Sequence, residues 1–231
     1  MLLFLIAEVF MEQTDKNKSF TRKLLIPLVI ILIILGAIYL NQATINHYEI
    51  AQALYKNGAY QKAIKKYEQA IAKGKLEEDK KWLAYHNMGS AYQELDEDLK
   101  AIECFEQANN IQDNHEETYT NMGISYRKLD QIDKAEECYN KALTLNSKYP
   151  EAFISLGTLS IFKNQPEQAI EYYQQAIEIS PSSSQAHGNI ALAYAMMGDF
   201  ETADQELKHA IALGYENAKT IQSRINELKN Q

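Results

Sequence analysis

Five histidines, at positions 47, 86, 115, 187 and 209, are the side chains most able to bind a metal or move a proton. A helical zinc site needs two imidazoles one turn apart on a single face, and no pair here stands at i, i+4. No cysteine lies near any of them in sequence, so they do not compose a metal site. Asp96-Glu97-Asp98 concentrates three carboxylates in a stretch with the character of a turn. Acidic residues there favour the N-terminus of the helix that follows, a structural task rather than a catalytic one. No glycine-rich phosphate loop follows a strand, and no Ser, Cys or His arrangement forms an activated nucleophile. Neither an enzyme activity nor a cofactor nor a metal is expected.

The elements that carry these residues repeat. Alanine recurs at Ala63, Ala101, Ala135, Ala169 and Ala203, in steps of 38, 34, 34 and 34 residues. Four residues after each comes a large apolar side chain: Tyr67, Phe105, Tyr139, Tyr173 and Leu207. Three residues later alanine returns, at 70, 108, 142, 176 and 210. Twelve residues before each first alanine sits a small residue: Ala51, Gly89, Gly123, Gly157 and Ala191. A period in this range signals stacked supersecondary units rather than one globular core.

Within a unit the apolar spacing is helical. Tyr119, Met122, Gly123 and Tyr126 share one face of a first helix, and Ala135, Tyr139, Ala142 and Leu143 share one face of a second. Leu129-Asp130-Gln131-Ile132-Asp133 supplies a polar turn between them, matched later by Asn164-Gln165-Pro166-Glu167 and Gly198-Asp199. Pro166 suits a first helical turn, where its missing N–H is no loss. Small residues let the paired helices approach, and the aromatic fills the groove between hairpins. Burying each ring is worth about 1.5–3 kcal/mol. Cys104 and Cys138 fall at the same place in successive second helices. Stacked helices hold such residues about 8–10 Å apart, beyond the roughly 7 Å Cα limit for bridging, so free thiols are expected.

These residues resemble the tetratricopeptide repeat, with its Trp-x2-Leu-Gly-x2-Tyr, Ala-x3-Phe, Ala and closing Pro. The third unit reads Tyr119-x2-Met122-Gly123-x2-Tyr126, Ala135-x3-Tyr139, Ala142. The second reads Tyr85, Met88-Gly89, Tyr92, Ala101, Phe105, Ala108; the fourth reads Phe153-x2-Leu156-Gly157, Ala169-x3-Tyr173, Ala176 and closes with Pro181. The end units depart from the pattern, with Ala51 and Ala191 for glycine and His47 and His187 for the aromatic. The resemblance implies an all-α, right-handed superhelical solenoid of five helix-turn-helix repeats, about 44–77, 82–115, 116–149, 150–183 and 184–217. Residues 218–231 read as a capping helix, with Ile221, Ile225 and Leu228 on one stripe to cover the last repeat.

Residues 24–40, LLIPLVIILIILGAIYL, contain no charged or strongly polar side chain. Seventeen residues at helical rise reach about 25 Å, close to a bilayer's hydrocarbon core, and a transmembrane helix is expected. Lys16, Lys18, Arg22 and Lys23 precede it and the next basic residue is Lys56, so residues 1–23 are expected in the cytoplasm and the repeats across the membrane. The rival is a cleaved signal peptide, but Asn41-Gln42-Ala43 is a poor cleavage site. Met11 is the expected working start, because MLLFLIAEVF lacks a basic leader and is interrupted by Glu8. The apolar helix either runs directly into a first repeat helix over residues 44–56 or bends around Asn41-Gln42. Both place the array close to the bilayer.

The whole chain has a net charge of −8. Setting aside Glu8, Glu12, Asp15 and the four basic residues ahead of the apolar run leaves 19 basic and 28 acidic side chains, net −9. Such a surface repels phosphate backbones, and nucleic-acid binding is not expected. Lysine outnumbers arginine twenty to three, a bias that hints at an AT-rich bacterial genome.

The resemblance also implies where a partner would lie: on the concave face lined by the first helices. Counting from Trp82, Glu116, Pro150 and Ser184, the family's inward positions are the second, fifth, sixth, ninth, twelfth and thirteenth. The sixth gives Asn87, Asn121 and Asn189, with Ser155 interrupting, a series similar to the asparagine ladder that some members use on a peptide backbone. An ordinary solvated asparagine is the other reading. The middle of the groove carries Arg127 and Lys128, and its C-terminal part carries Ile154, Thr158, Ile161, Phe162, Leu192 and Met196. This apolar part is a candidate dock for a hydrophobic side chain or helix, unless the array's curvature buries it. At the places of the family's carboxylate clamp stand His86, Ser90, Asn121, Glu151 and Ser155; Asn121 alone matches, so acidic chaperone tails are not expected partners.

The expected function is a membrane-anchored scaffold that assembles or stabilises an envelope or membrane complex. A cytosol-facing receptor for targeting peptides on an organelle membrane, and an accessory subunit positioning a membrane enzyme, are the alternatives. The sequence leaves the oligomeric state open.

Overall fold

The computed structural model describes residues 18–230, with side chains for 27–36 and 47–230. The expected start at Met11 lies outside the described residues. Eleven helices follow one another: α1 Lys18–Lys56, α2 Tyr60–Ala72, α3 Glu78–Glu94, α4 Asp98–Ile111, α5 Glu116–Lys128, α6 Ile132–Leu145, α7 Pro150–Phe162, α8 Pro166–Ile179, α9 Ser184–Met196, α10 Phe200–Ala212 and α11 Ala218–Lys229. No strand occurs among the described residues. Pro150 and Pro166 open α7 and α8, where a missing N–H costs nothing.

Each turn between a first and a second helix is built alike. Gly58, Asp96, Asp130, Asn164 and Gly198 all have left-handed backbone, with φ of 71°, 55°, 59°, 58° and 81°. The amide that follows each donates back five residues: Ala59 N to Leu54 O, Glu97 N to Tyr92 O, Gln131 N to Tyr126 O, Gln165 N to Ser160 O and Asp199 N to Tyr194 O, at 2.8–3.0 Å. This closure satisfies the last helical carbonyls, and Gly, Asn and Asp are the residues that adopt its left-handed step at least cost. The Asp96-Glu97-Asp98 cluster therefore sits in a turn, but Glu97 makes no side-chain cap bond. Lys128 Nζ instead reaches Asp96 Oδ1 at 3.0 Å and Asp98 Oδ2 at 3.7 Å from the next repeat.

Packing follows the small-to-large rule of the sequence. Tyr67, Phe105, Tyr139, Tyr173 and Leu207 are all fully buried. A Cβ added at Gly89, Gly123 or Gly157 would stand 2.5 Å from the ring of Phe105, Tyr139 or Tyr173. Helices touch only partners one or two places away in chain order, as a one-dimensional stack requires. Successive first helices (α3, α5, α7 and α9) touch, whereas successive second helices do not. The first helices therefore lie on the shorter, inner side of the curve. At the C-terminal end, Ile221 and Ile225 of α11 pack against Ala191, Ala195, Ala203 and Leu207, covering the last repeat.

α1 is a single helix of 39 residues, so the apolar run continues into the first repeat without the alternative bend. Pro27 lies within this helix and not in its first turn. Tyr48 and Ala51, near its C-terminal end, join the core built around Tyr67. By contrast, Leu28 to Leu35 are eight consecutive aliphatic side chains that are 43–66% exposed. Among the described residues no helix is long and apolar enough to cross a membrane.

Candidate partner-binding groove

The inner wall does not present all the residues that periodicity assigns to it. The fifth position of each unit is buried: His86, Thr120 and Ile154 are 4%, 3% and 7% exposed. Ile154 corrects the sequence reading directly, because it packs with Ala169, Ile170, Tyr173 and Ile190 between two repeats and does not line the groove. His86 lies at a comparable junction. Its Nδ1 is 2.9 Å from Thr118 Oγ1, and its ring stacks beside Trp82 with centroids 5.4 Å apart. His115 stacks on the same indole at 3.6 Å.

The asparagine series has a structural partner inside the chain. Asn87 Nδ2 donates to Tyr67 Oη at 3.0 Å, and Tyr215 Oη donates to Asn189 Oδ1 at 3.3 Å. Asn189 also stabilises the ionised form of Tyr173, whose pKa burial nevertheless raises. Asn87 thus reaches the tyrosine hydroxyl of the preceding second helix, whereas Asn189 is engaged by a tyrosine that follows α10. Asn121 follows Phe105, which has no hydroxyl, and its side-chain amide has no hydrogen bond among the described residues. Ser155 follows Tyr139 and is the shorter side chain. Tyr139 Oη is buried without a hydrogen-bond partner in good geometry. Burial pushes its pKa up to about 12, and the facing Arg127 guanidinium only partly offsets this.

Lys128, placed in the middle of the groove by its position in the repeat, is tied to Asp96 and Asp98, and Arg127 is half-buried. Thr158 Oγ1 donates to Ile154 O at 2.8 Å and lies 3.3 Å from Tyr173 Oη, so it serves its own repeat. The middle of the groove is consequently more self-satisfied than its sequence suggests.

The C-terminal part is different. Ile161, Phe162, Leu192 and Met196 converge on one cavity of about 410 Å³, completed by Asn164 and by Arg224 and Leu228 of α11. Phe162 is 57% exposed, an unusual state for a phenyl ring in a folded chain. The three residues missed at the sequence level have a common cause. Asn164 looked like turn residue only, and α11 looked like a cap only, because a distance of some 60 residues hides their shared pocket.

On the outer side, two furrows repeat one unit apart. One is lined by Tyr85, Met88, Tyr92 and Cys104, the other by Tyr119, Met122, Tyr126 and Cys138. Lys100, Lys134 and Lys141 lie over Tyr92, Tyr126 and Tyr119 at 5.5, 5.2 and 5.8 Å, which covers much of that ring surface. Cys104 and Cys138 are free thiols, and burial pushes both up to about 12, so they stay protonated and poorly nucleophilic. Among the described residues no three His, Cys, Asp or Glu side chains are placed to hold a metal ion.

Sequence profiles of the tetratricopeptide repeat match residues 47–81, 83–115, 116–149, 163–198 and 184–213, which together span well over half of the chain. The chain belongs to the tetratricopeptide repeat family. A search of curated proteins gives no match. Solved structures with the same fold include MamA 41-end from Desulfovibrio magneticus RS-1, 19% identical, covering 74% of this chain and 94% of that one with a TM-score of 0.61. PilF of Pseudomonas aeruginosa is 16% identical, with coverage of 83% and 86% and a TM-score of 0.65. YrrB, described as a TPR protein with an unusual peptide-binding site, is 20% identical, with coverage of 80% and 91% and a TM-score of 0.56. At these identities the likeness establishes the fold.

Proposed function

We propose that the chain is a scaffold that holds a protein partner along the inner wall of its repeats and is tethered to a membrane by residues 24–40. The observation that carries the partner reading is the open pocket in which the ring of Phe162 is left largely exposed, on a chain whose net charge is −8. A phenyl ring is more often buried than left to water, and a groove is where a partner would cover it. The peptide-binding site attributed to YrrB supports the same use of a tetratricopeptide surface. Asn121, Phe162, Leu192 and Met196 are the proposed contacts, with Asn121 the amide best placed to accept a ligand.

Tethering is supported by the apolar sequence and by the eight exposed aliphatic side chains from Leu28 to Leu35. Each gains about 1.5–3 kcal/mol when removed from water, and lipid is the cover that suits a helix apolar all round. The basic residues ahead of the run support a cytoplasmic N-terminus and repeats on the opposite side, in the setting of a membrane or envelope complex.

A photocrosslinker at Phe162 in native membranes tests the partner, with one at Lys141 on the outer side as control. A specific adduct from position 162, absent from 141, is the expected result; no adduct from either inner or outer face counts against a scaffold. Resistance of the intact chain to alkaline carbonate extraction tests the tether, and protease access in intact cells tests the orientation. Repeats cut only from the cytoplasmic side would reverse the topology.

A further inference from the structure

Behind its net value of −8, charge reverses along the chain. Residues 56–81 hold eight lysines against four carboxylates, net +4, whereas residues 82–231 hold 11 basic and 23 acidic side chains, net −12. Lys62, Lys65, Lys66, Gln69 and Lys73 recur at helical spacing on the face of α2 opposite its buried side chains, and Lys75 follows in the next turn. Lys62, Lys65 and Lys75 are exposed, and among the described residues none of the three makes a hydrogen bond or an ion pair. Lys66 Nζ donates to a neutral acceptor, Gln69 Oε1, at 3.2 Å. Glu68 lies off this stripe, in the outer furrow with Tyr85 and Tyr92. Glu77, Glu78 and Asp79 stand at the start of α3 next to Lys80 and Lys81, and Asp79 accepts from Gln112 at 2.6 Å. The positive face of α2 is therefore not neutralised by its neighbours.

α2 runs antiparallel to α1, with the ring of Tyr67 meeting that of Tyr48 edge-on at 5.9 Å. At equal helical rise, this pairing sets the C-terminal end of α2 about level with the end of the apolar run at residue 40. Burial, and then the charges of Lys73 and Lys66, hold the pKa of His47 below its ordinary 6.5, so the stripe stands beside α1 seven residues past the run. α1 is one helix from before the exposed aliphatic stretch Leu28 to Leu35 through to Lys56, which keeps the first repeat next to that stretch. Resting on the membrane-tether reading, we propose that the lysine stripe of α2 is a second membrane contact, seated on the anionic phospholipid headgroups of the leaflet beside the repeats. Phosphate oxygens are the acceptors that a row of ammonium groups takes, and a bilayer presents them in a plane at the level of the stripe. Each lysine within about a Debye length of such a surface favours the bound orientation about fivefold. An acidic protein segment is the competing occupant, and the closeness of the apolar run selects lipid. The later repeats, at net −12, are repelled by the same surface, so the two forces stand the array off the bilayer at a set tilt.

The test reconstitutes the full-length protein in vesicles of phosphatidylcholine, alone or with a third of phosphatidylglycerol. Each carries a headgroup-linked nitroxide that quenches a fluorophore placed at Gln69 as an unnatural amino acid. Quenching is expected to be about threefold or more stronger in the mixed vesicles and to fade in high salt. Lys62→Gln, Lys65→Gln, Lys66→Gln and Lys75→Gln together are expected to bring it down to the phosphatidylcholine level. The same four positions changed to arginine are expected to keep it, with helical circular dichroism unchanged in both variants. A fluorophore at Asn140, on the exposed side of α6, is expected to stay unquenched. Equal quenching in the two lipids, or lipid-dependent quenching that survives the four glutamines, overturns the proposal. A protein crosslinked from position 69 in native membranes, without quenching in the mixed vesicles, also overturns it and assigns the stripe to an acidic partner. Absent quenching in vesicles that retain the chain through alkaline carbonate overturns the second contact and leaves the tether standing. Release of the chain by carbonate overturns the tether and this inference with it.

Discussion

At the scale of single residues, close approach and hydroxyl partners decide most of the energetics. Gly123→Ala would gain about 1 kcal/mol of helix propensity. The new methyl would meet the fully buried Tyr139 ring at 2.5 Å, and overpacking of that kind costs about 1–3 kcal/mol. A net loss is expected, measurable as a lower midpoint in urea; an unchanged or higher midpoint would show that the ring can yield. Tyr139 Oη offers the opposite opportunity. Ser155→Asn gives the fourth repeat the amide that Asn87 already presents to Tyr67. Supplying a partner to a buried hydroxyl is worth about 1 kcal/mol, so the variant is expected to be more stable by that amount. Phe105→Tyr tests the same rule from the other side, because it gives Asn121 a hydroxyl to meet.

At the scale of elements, the intra-repeat turns and the junctions between hairpins respond differently. Asp130 has a φ of 59°, a conformation that glycine adopts freely. Asp130→Gly is expected to be neutral or stabilising by a few tenths of a kcal/mol, and Asp130→Val destabilising by about 1–2 kcal/mol, in thermal melts. The junction of the second and third repeats carries Trp82 between His115 and His86. Burial lowers the pKa of His115 below its ordinary 6.5, assisted by the charge of His86 and opposed by Glu116, Glu117 and Asp79. The folded chain therefore holds that proton less tightly than the unfolded chain. The stabilisation from neutral His115 is complete above pH 6.5 and is lost as pH falls through the lower folded value. Trp82 is the sole tryptophan, so its emission is expected to change with a midpoint below 6.5, and His115→Phe to flatten the response. Emission constant from pH 8 to 5 would refute the coupling.

For the whole molecule, the stack is asymmetric: polar and self-satisfied at mid-groove, open around an exposed phenyl ring where α11 closes the array. Phe162→Asp and Leu192→Asp probe this asymmetry in different ways. Phe162 is largely exposed, so its substitution is expected to abolish partner capture and leave the helical signal intact. Leu192 also packs on the core below α11, so its substitution is expected to lower the melting temperature by several degrees as well. Equal stability of the two variants would place Leu192 wholly in the groove.

The repeats were legible because hairpin packing is local: a small residue and a ring sixteen residues on, such as Gly123 and Tyr139, meet within one unit and so recur with its period. The same locality placed Pro166 at a helix start and the polar turns between helices. The groove was only partly legible. Periodicity assigned Ile154 to the inner wall, but the approach of the next repeat buries it. It assigned asparagines to a ligand, whereas a tyrosine on the neighbouring unit already engages Asn87. What lines a surface depends on how far adjacent units close on one another and on where the chain's last helix folds back. Sequence spacing by itself thus determined the helix pairs and their stacking, because those contacts are short in the chain. Only the tertiary structure brought Phe162 to Arg224 and Leu228, because that pocket is made by curvature and by contacts far apart in sequence.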